Sequence, residues 1–163
     1  MSSAAPALAQ RSFALAAILW GGFIGGSFDM TFALLFYGLR RGIPLAKIPQ
    51  SIASGLLGAD AYSGGTATVV LGFCLHYFIA MSAATVYYFA SRKISFLRRN
   101  AVVSGLLYGA AIYSFMNFVV LPLSAVPSIH HTLLNVSADL TVHVLLIGPS
   151  IALATRKFAG ELV

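Results

Sequence analysis

The sequence predicts an all-α protein, a four-helix transmembrane bundle with a short interfacial helix between the first and second spans. Of the 163 residues, 59% are hydrophobic and only 9% are charged, whereas soluble domains carry about 25% charged residues. A water-soluble protein of this composition would expose large apolar patches. The lipid bilayer is therefore the expected surrounding of this chain.

Four apolar segments are each long enough to cross the bilayer, whose hydrocarbon core of roughly 30 Å takes about 20 helical residues. The spans are predicted at about 13–39, 66–90, 101–123 and 137–155. These segments and their connections use up the chain, so residues 1–163 are predicted to form a single membrane domain.

All ten basic residues flank the apolar segments, where they anchor and orient membrane helices. Four spans place both termini on the same side of the membrane. Seven basic residues lie on that side, Arg11, Arg92, Lys93, Arg98, Arg99, Arg156 and Lys157, and three lie on the other side, Arg40, Arg41 and Lys47. Because the cytoplasmic side carries the excess of basic residues, both termini are predicted to be cytoplasmic (N-in, C-in). No basic face is interleaved with aromatic residues, so nucleic acid is not an expected partner.

The first connection contains a predicted short helix. Pro49 suits its first turn and Gly58 its C-terminal cap. Ile48, Ile52 and Leu56 fall on one face, which is typical of a helix that lies in the membrane interface. A lid over a site is the alternative interpretation.

Glycines and other small residues recur at steps of four within the first three spans, as in closely packed membrane helices. The stripe of the first span is Ala17, Gly21, Gly25, Asp29 and Ala33, that of the second is Gly72, His76, Ala80 and Ala84, and that of the third is Gly105, Gly109, Tyr113 and Asn117. Gly22 and Gly26 form a further pair in the first span. Such Gly-rich faces pack helices within a bundle, and they could also bind a second copy of the chain or a larger membrane complex.

The candidate site consists of five polar residues within the apolar segments: Asp29, His76, Asn117, Asp139 and His143. At 1.5 Å per residue, Asp29 and His76 lie about 15 Å below the outer ends of their helices, and Asn117 and His143 about 9 Å. We therefore expect one polar cluster in the outer half of the bilayer. Two interpretations stay open: interhelical hydrogen bonds that only stabilise the bundle, or a site for a proton, a metal ion or a small polar ligand.

A metal or a haem would use the histidines. His76, His143 and Asp139 form a nitrogen and oxygen set that suits zinc or another divalent metal, and His76 with His143 could equally be the axial ligands of a b-type haem. Asp139 also has a structural interpretation, as an acid favoured by the dipole in the first turn of its helix. His130 and His131 are interpreted as solvated loop residues, with metal capture as the alternative.

No nucleophile–base pair and no phosphate-binding loop is found, so the sequence does not predict an enzyme. The single cysteine, Cys74, excludes an intrachain disulfide. Three function classes follow: binding or conduction of a small polar species, a haem- or metal-binding redox subunit, and a non-catalytic accessory subunit.

The glycine-rich first span, His76, and the runs GLLYGAAIYSFMNFVVLPLSA and ADLTVHVLLIGPSIA resemble the YagU-type inner-membrane proteins of bacteria. The resemblance covers most of the chain. It implies a small four-helix protein of the bacterial inner membrane and no particular activity, and it implies that His76 and His143 are important positions.

Overall fold

The computed structural model describes residues 4–127 and 132–159, and in these two ranges the only regular structure is helical. Four helices are long and apolar enough to cross a bilayer: Ser12–Arg40, Gly65–Lys93, Ala101–Leu123 and Leu133–Phe158. We call them spans 1 to 4. The four-span prediction is confirmed, and the chain is a multi-pass α-helical membrane protein.

Several spans are built from more than one helical segment. In chain order, the helical segments of the spans and of their connections are Ala4–Ala33, Leu34–Arg40, Lys47–Leu57, Gly58–Tyr62, Gly65–Lys93, Ser95–Arg99, Ala101–Phe115, Met116–Val120, Leu121–Leu123, Leu133–Val142, His143–Ile147 and Gly148–Ala159. Spans 1, 3 and 4 each contain one π-helical segment: Leu34–Arg40, Met116–Val120 and His143–Ile147. Gly58–Tyr62 is a 3₁₀ turn.

Span 4 begins four residues earlier than the predicted start at residue 137. Its first turn is capped by Thr132, whose Oγ1 accepts a hydrogen bond from the backbone N–H of Asn135 (3.3 Å). Asp139 therefore lies beyond the first turn, and its interpretation as a dipole-stabilised acid is wrong. The earlier start also places His143 about 15 Å from the helix end, at the depth predicted for Asp29 and His76.

The spans pack in the spatial order 2–1–4–3, with span 1 between spans 2 and 4 and span 4 between spans 1 and 3. Spans 2 and 3 meet through tyrosines: Tyr87 shares a hydrogen bond with Ser104 (2.7 Å), and Tyr108 donates to the carbonyl of Ala83 (2.7 Å). Further along the bundle, towards Lys47–Leu57, all four spans and this connecting helix line a cavity.

The glycine faces of span 1 are covered by other spans of the same chain. An added Cβ at Gly21 or Gly25 would contact Ile151 and Ile147 of span 4, and one at Gly22 would lie 2.9 Å from the Cα of Met81 in span 2. An oligomer or a larger complex stays a prediction from the sequence. Because the helices approach so closely, the faces are already filled inside the bundle.

The connecting helix Lys47–Leu57 is present as predicted. On the predicted apolar face Ile48 is buried and Leu56 is 64% exposed, and Gln50 and Ser54 are buried as well. The Gln50 amide Nε2 donates to Thr68 Oγ1 (3.1 Å) in span 2. Gln50 thus attaches this helix to span 2 through Nε2, whereas its Oε1 is buried without a partner among the described residues.

A close backbone approach holds the connecting helix to span 2 and can be tested. A Cβ on Gly72 would overlap the carbonyl of Pro49, whereas one on Gly55 would meet only side chains at 3.8 Å and beyond. Gly72→Ala is therefore expected to lower the stability of the protein in detergent by about 1–3 kcal/mol, through overpacking. Thermal unfolding measures the loss, and Gly55→Ala is the matched control. Equal melting temperatures for both variants would contradict the contact.

Candidate functional site

All five predicted site residues line a single cavity of about 360 Å³. Span 1 contributes Asp29, span 2 His76, span 3 Asn117, and span 4 both Asp139 and His143. The volume lies at the lower end of the range for small-molecule sites, about 300–1,000 Å³. The cavity is therefore large enough for a small ligand.

The spacing of four residues explains how the spans present these side chains. Span 4 lines the cavity with Asn135, Asp139, His143, Ile147 and Ile151, which share one helical face. The stripes of spans 1 and 3 reach the cavity in the same way. On span 1 the series extends one step of four residues beyond the predicted stripe, from Ala33 to Tyr37.

His76 and Asp29 form a pair of ionisable side chains in the lining of the cavity. His76 Nδ1 lies 4.0 Å from Asp29 Oδ2, and the His76 side chain is only 10% exposed, against 31% for Asp29. The other ring nitrogen, Nε2, is 2.7 Å from the carbonyl of Gly26. The histidine therefore bridges spans 1 and 2 through a backbone bond and also faces a carboxylate.

The bond to Gly26 fixes where the histidine carries its hydrogen. A carbonyl oxygen only accepts, so the ring hydrogen must be on Nε2. In the neutral ring, Nδ1 is then an acceptor, and it faces a carboxylate that is also an acceptor when ionised. Such a pair is stabilised by a proton, a cation or a hydrogen-bond donor placed between the two atoms.

On the other side of the cavity, Asp139 is held by a tyrosine. The Tyr37 hydroxyl donates to Asp139 Oδ2 (2.7 Å), which joins spans 1 and 4. His143 donates from Nδ1 to the backbone carbonyl of Asp139 (2.8 Å), and its ring packs edge-on against Tyr113. Because Nδ1 carries the hydrogen, Nε2 of the neutral ring is an acceptor, and no described residue bonds to it.

Asn117 makes its hydrogen bond within span 3 rather than between spans. Its amide Nδ2 donates to the carbonyl of Tyr113, one turn earlier (2.9 Å). The bonds of His76 to Gly26 and of Tyr37 to Asp139, in contrast, cross between helices. The interhelical hydrogen-bond interpretation thus fits His76 and Asp139 but not Asn117.

The three π-helical segments coincide with the cavity. Each contributes at least one lining residue: Tyr37 in span 1, Asn117 in span 3 and His143 in span 4. A π segment widens the helix by one residue, interrupts the regular i to i−4 bonding and is frequently found at functional sites. The extra residue in each π segment changes the direction in which Tyr37, Asn117 and His143 leave their helices, next to the cavity.

The metal interpretation is not supported by the arrangement of side chains. Within residues 4–127 and 132–159, no three His, Cys, Asp or Glu residues are grouped closely enough to hold a metal ion, so His76, His143 and Asp139 do not form such a group. A haem between the two histidines would require His76 Nε2 or Nδ1, which face Gly26 and Asp29. His130 and His131 lie outside the described residues.

Sequence reasoning missed four polar residues of the cavity: Tyr37, Ser51, Tyr113 and Asn135. Tyr113 belonged to a predicted stripe but was not assigned to the site. Tyr37 was detectable as the next step of four after Asp29 and Ala33. No sequence pattern pointed to Ser51, because only the packing of the connecting helix against the spans brings this residue to the cavity.

Comparisons with protein-family models, with curated proteins and with solved structures found no match to this chain. The resemblance to the YagU-type proteins therefore stays a prediction from the sequence.

Proposed function

We propose that this chain is a non-enzymatic membrane protein that binds a small polar species in the cavity, with a proton at the His76–Asp29 pair taking part. The observation that supports this most directly is that His76 Nδ1 and Asp29 Oδ2 face each other at 4.0 Å in the lining of the cavity. Ionisable residues inside a membrane are costly and are kept mainly for function. A hydrogen bond that only stabilised the bundle would not need a carboxylate at this place.

The surrounding residues support a binding role. Ile48, Ser51 and Ile52 of the connecting helix line the cavity, at the end of the bundle away from the basic residues that follow span 2. In the proposed orientation, with both termini cytoplasmic, this end faces outward. A YagU-type protein of the bacterial inner membrane would then take up its ligand from the periplasmic side.

Access of small polar molecules to the cavity can be tested with cysteine chemistry. Ala33 lines the cavity one turn from Asp29, whereas the native Cys74 is exposed on the apolar span 2 and does not line the cavity. A thiol reacts as the thiolate, which needs a polar, hydrated surrounding. The Ala33→Cys variant, made in a Cys74→Ser background, is expected to react with a cationic methanethiosulfonate reagent at least roughly tenfold faster than Cys74 in the native chain.

The reaction is followed by mass spectrometry on the full chain in lipid nanodiscs. In intact cells, an impermeant reagent added outside tests the proposed orientation at the same time. If Ala33→Cys reacts no faster than Cys74, the cavity is closed to polar solutes and the proposed function fails.

A further inference from the structure

We propose that the ligand of this cavity is a small organic cation, a primary ammonium with a short alkyl chain. The inference rests on the proposed function and names the class of ligand. Its support is the arrangement of donors, acceptors, charges and rings around the cavity.

The charges that line the cavity favour a cation. Two carboxylates, Asp29 and Asp139, are among the lining residues, and no described lining residue is a lysine or an arginine. One basic side chain contacts a lining residue from outside the lining: Arg41 Nη1 donates to the amide oxygen of Asn135. An anion in this cavity would face two carboxylates inside the membrane, where charges are weakly screened.

The hydrogen-bond donors of the lining are mostly used within the protein. His76 Nε2, His143 Nδ1 and Asn117 Nδ2 each donate to a backbone carbonyl. The Tyr37 hydroxyl donates to Asp139, and the Ser51 hydroxyl donates to the carbonyl of Ile48. The hydroxyl of Tyr113 and the amide nitrogen of Asn135 are the remaining side-chain donors.

The acceptors, in contrast, remain available for a ligand. They are Asp29 Oδ2, His76 Nδ1 and His143 Nε2, in neutral rings whose hydrogen is on the other nitrogen. An ammonium group has three donors and no acceptor. It therefore matches this lining, and its positive charge satisfies Asp29 and His76 in the place of the proton.

The rest of the cavity suits a short apolar chain. Aromatic rings of Phe32, Tyr37 and Tyr113 line it, together with Ile79 and Ile112. Aromatic faces attract cations electrostatically, and the isoleucines can cover an alkyl chain. A volume of about 360 Å³ limits the ligand to a small molecule.

Three probes of the same chain length separate charge from size: butylammonium, butanol and butyrate. Each is titrated at millimolar concentration and neutral pH into the full chain in nanodiscs of zwitterionic lipid. Saturation-transfer NMR and calorimetry measure binding. We expect butylammonium to bind and butyrate not to bind, and we expect Asp29→Asn to weaken butylammonium at least roughly tenfold, through loss of a charge-assisted hydrogen bond.

Asp60→Asn is the matched control, because Asp60 is exposed in the turn before span 2 and does not line the cavity. Asp139→Asn is a second test variant if Asp29→Asn folds poorly, and it should also weaken butylammonium. If butanol or butyrate binds as tightly as butylammonium, or if no probe binds, the cation proposal is overturned. The cysteine test of access stands independently of that result, so failure of the ligand class and failure of the proposed function are distinguishable.

Discussion

Gly109→Val is expected to force spans 3 and 4 apart and to lower the stability of the folded protein strongly. A Cβ on Gly109 would overlap the carbonyl of His143 and lie 2.8 Å from the Cα of Val144. Gly148 meets span 3 equally closely, since an added Cβ there would be 2.7 Å from the Cα of Gly109. Both partners are backbone, so no side chain can rotate away.

The expected loss is about 3 kcal/mol, the upper end of the range for overpacked cores, because two helices must move. Titration of the folded protein with dodecyl sulfate in mixed micelles, followed by circular dichroism, measures it. Leu107→Val is the matched control on the same helix, since Leu107 is 63% exposed and faces lipid. An unchanged transition for Gly109→Val would show that the two spans do not cross at this point. If the variant does fold, reduced reactivity of Ala33→Cys would report damage to the cavity.

His76→Leu is expected to destabilise the protein more than the double variant His76→Leu with Asp29→Leu. The single change removes the donor to the Gly26 carbonyl and leaves the Asp29 carboxylate in the bundle without its facing ring. An unpaired polar group costs about 1–3 kcal/mol, and more when it is charged, whereas replacing both partners is often neutral. The double variant should therefore recover much of the lost stability while losing the ligand site.

A double-mutant cycle on the unfolding free energies measures this coupling, which is expected at about 0.5–3 kcal/mol. The comparison cycle pairs His143→Leu with Asp29→Leu. Both residues line the cavity, but no bond or ion pair joins them in the described part of the chain. Additive effects in the His76–Asp29 cycle would contradict a pair that holds a proton or a cation. Retained ligand binding in the double variant would contradict the site itself.

The positions of the five site residues were predictable because helical geometry relates sequence spacing to position. Asp29, His76 and Asn117 each lie on a small-residue stripe, and such stripes face other helices. Asp139 and His143 lie one turn apart on one face. These relations are local, so one sequence was enough to place all five residues on surfaces that point into the bundle.

The glycine faces show the limit of this reasoning. A stripe of Gly21 and Gly25 predicts close packing but does not name the partner, which turned out to be span 4 of the same chain. The connecting helix shows a second limit. Its buried residues include the polar Gln50 and Ser54, because the helix packs closely on span 2 and bonds to it.

The sequence by itself determined the four spans and which face of each points inward, because both follow from hydropathy and from the 3.6-residue period of the helix. The tertiary structure alone decided the spatial order of the spans, the cavity that all four spans line, and the bonds of Tyr37 and His76 across helices. These depend on contacts between residues as far apart in the chain as Tyr37 and Asp139. No periodicity along the sequence encodes which helices become neighbours.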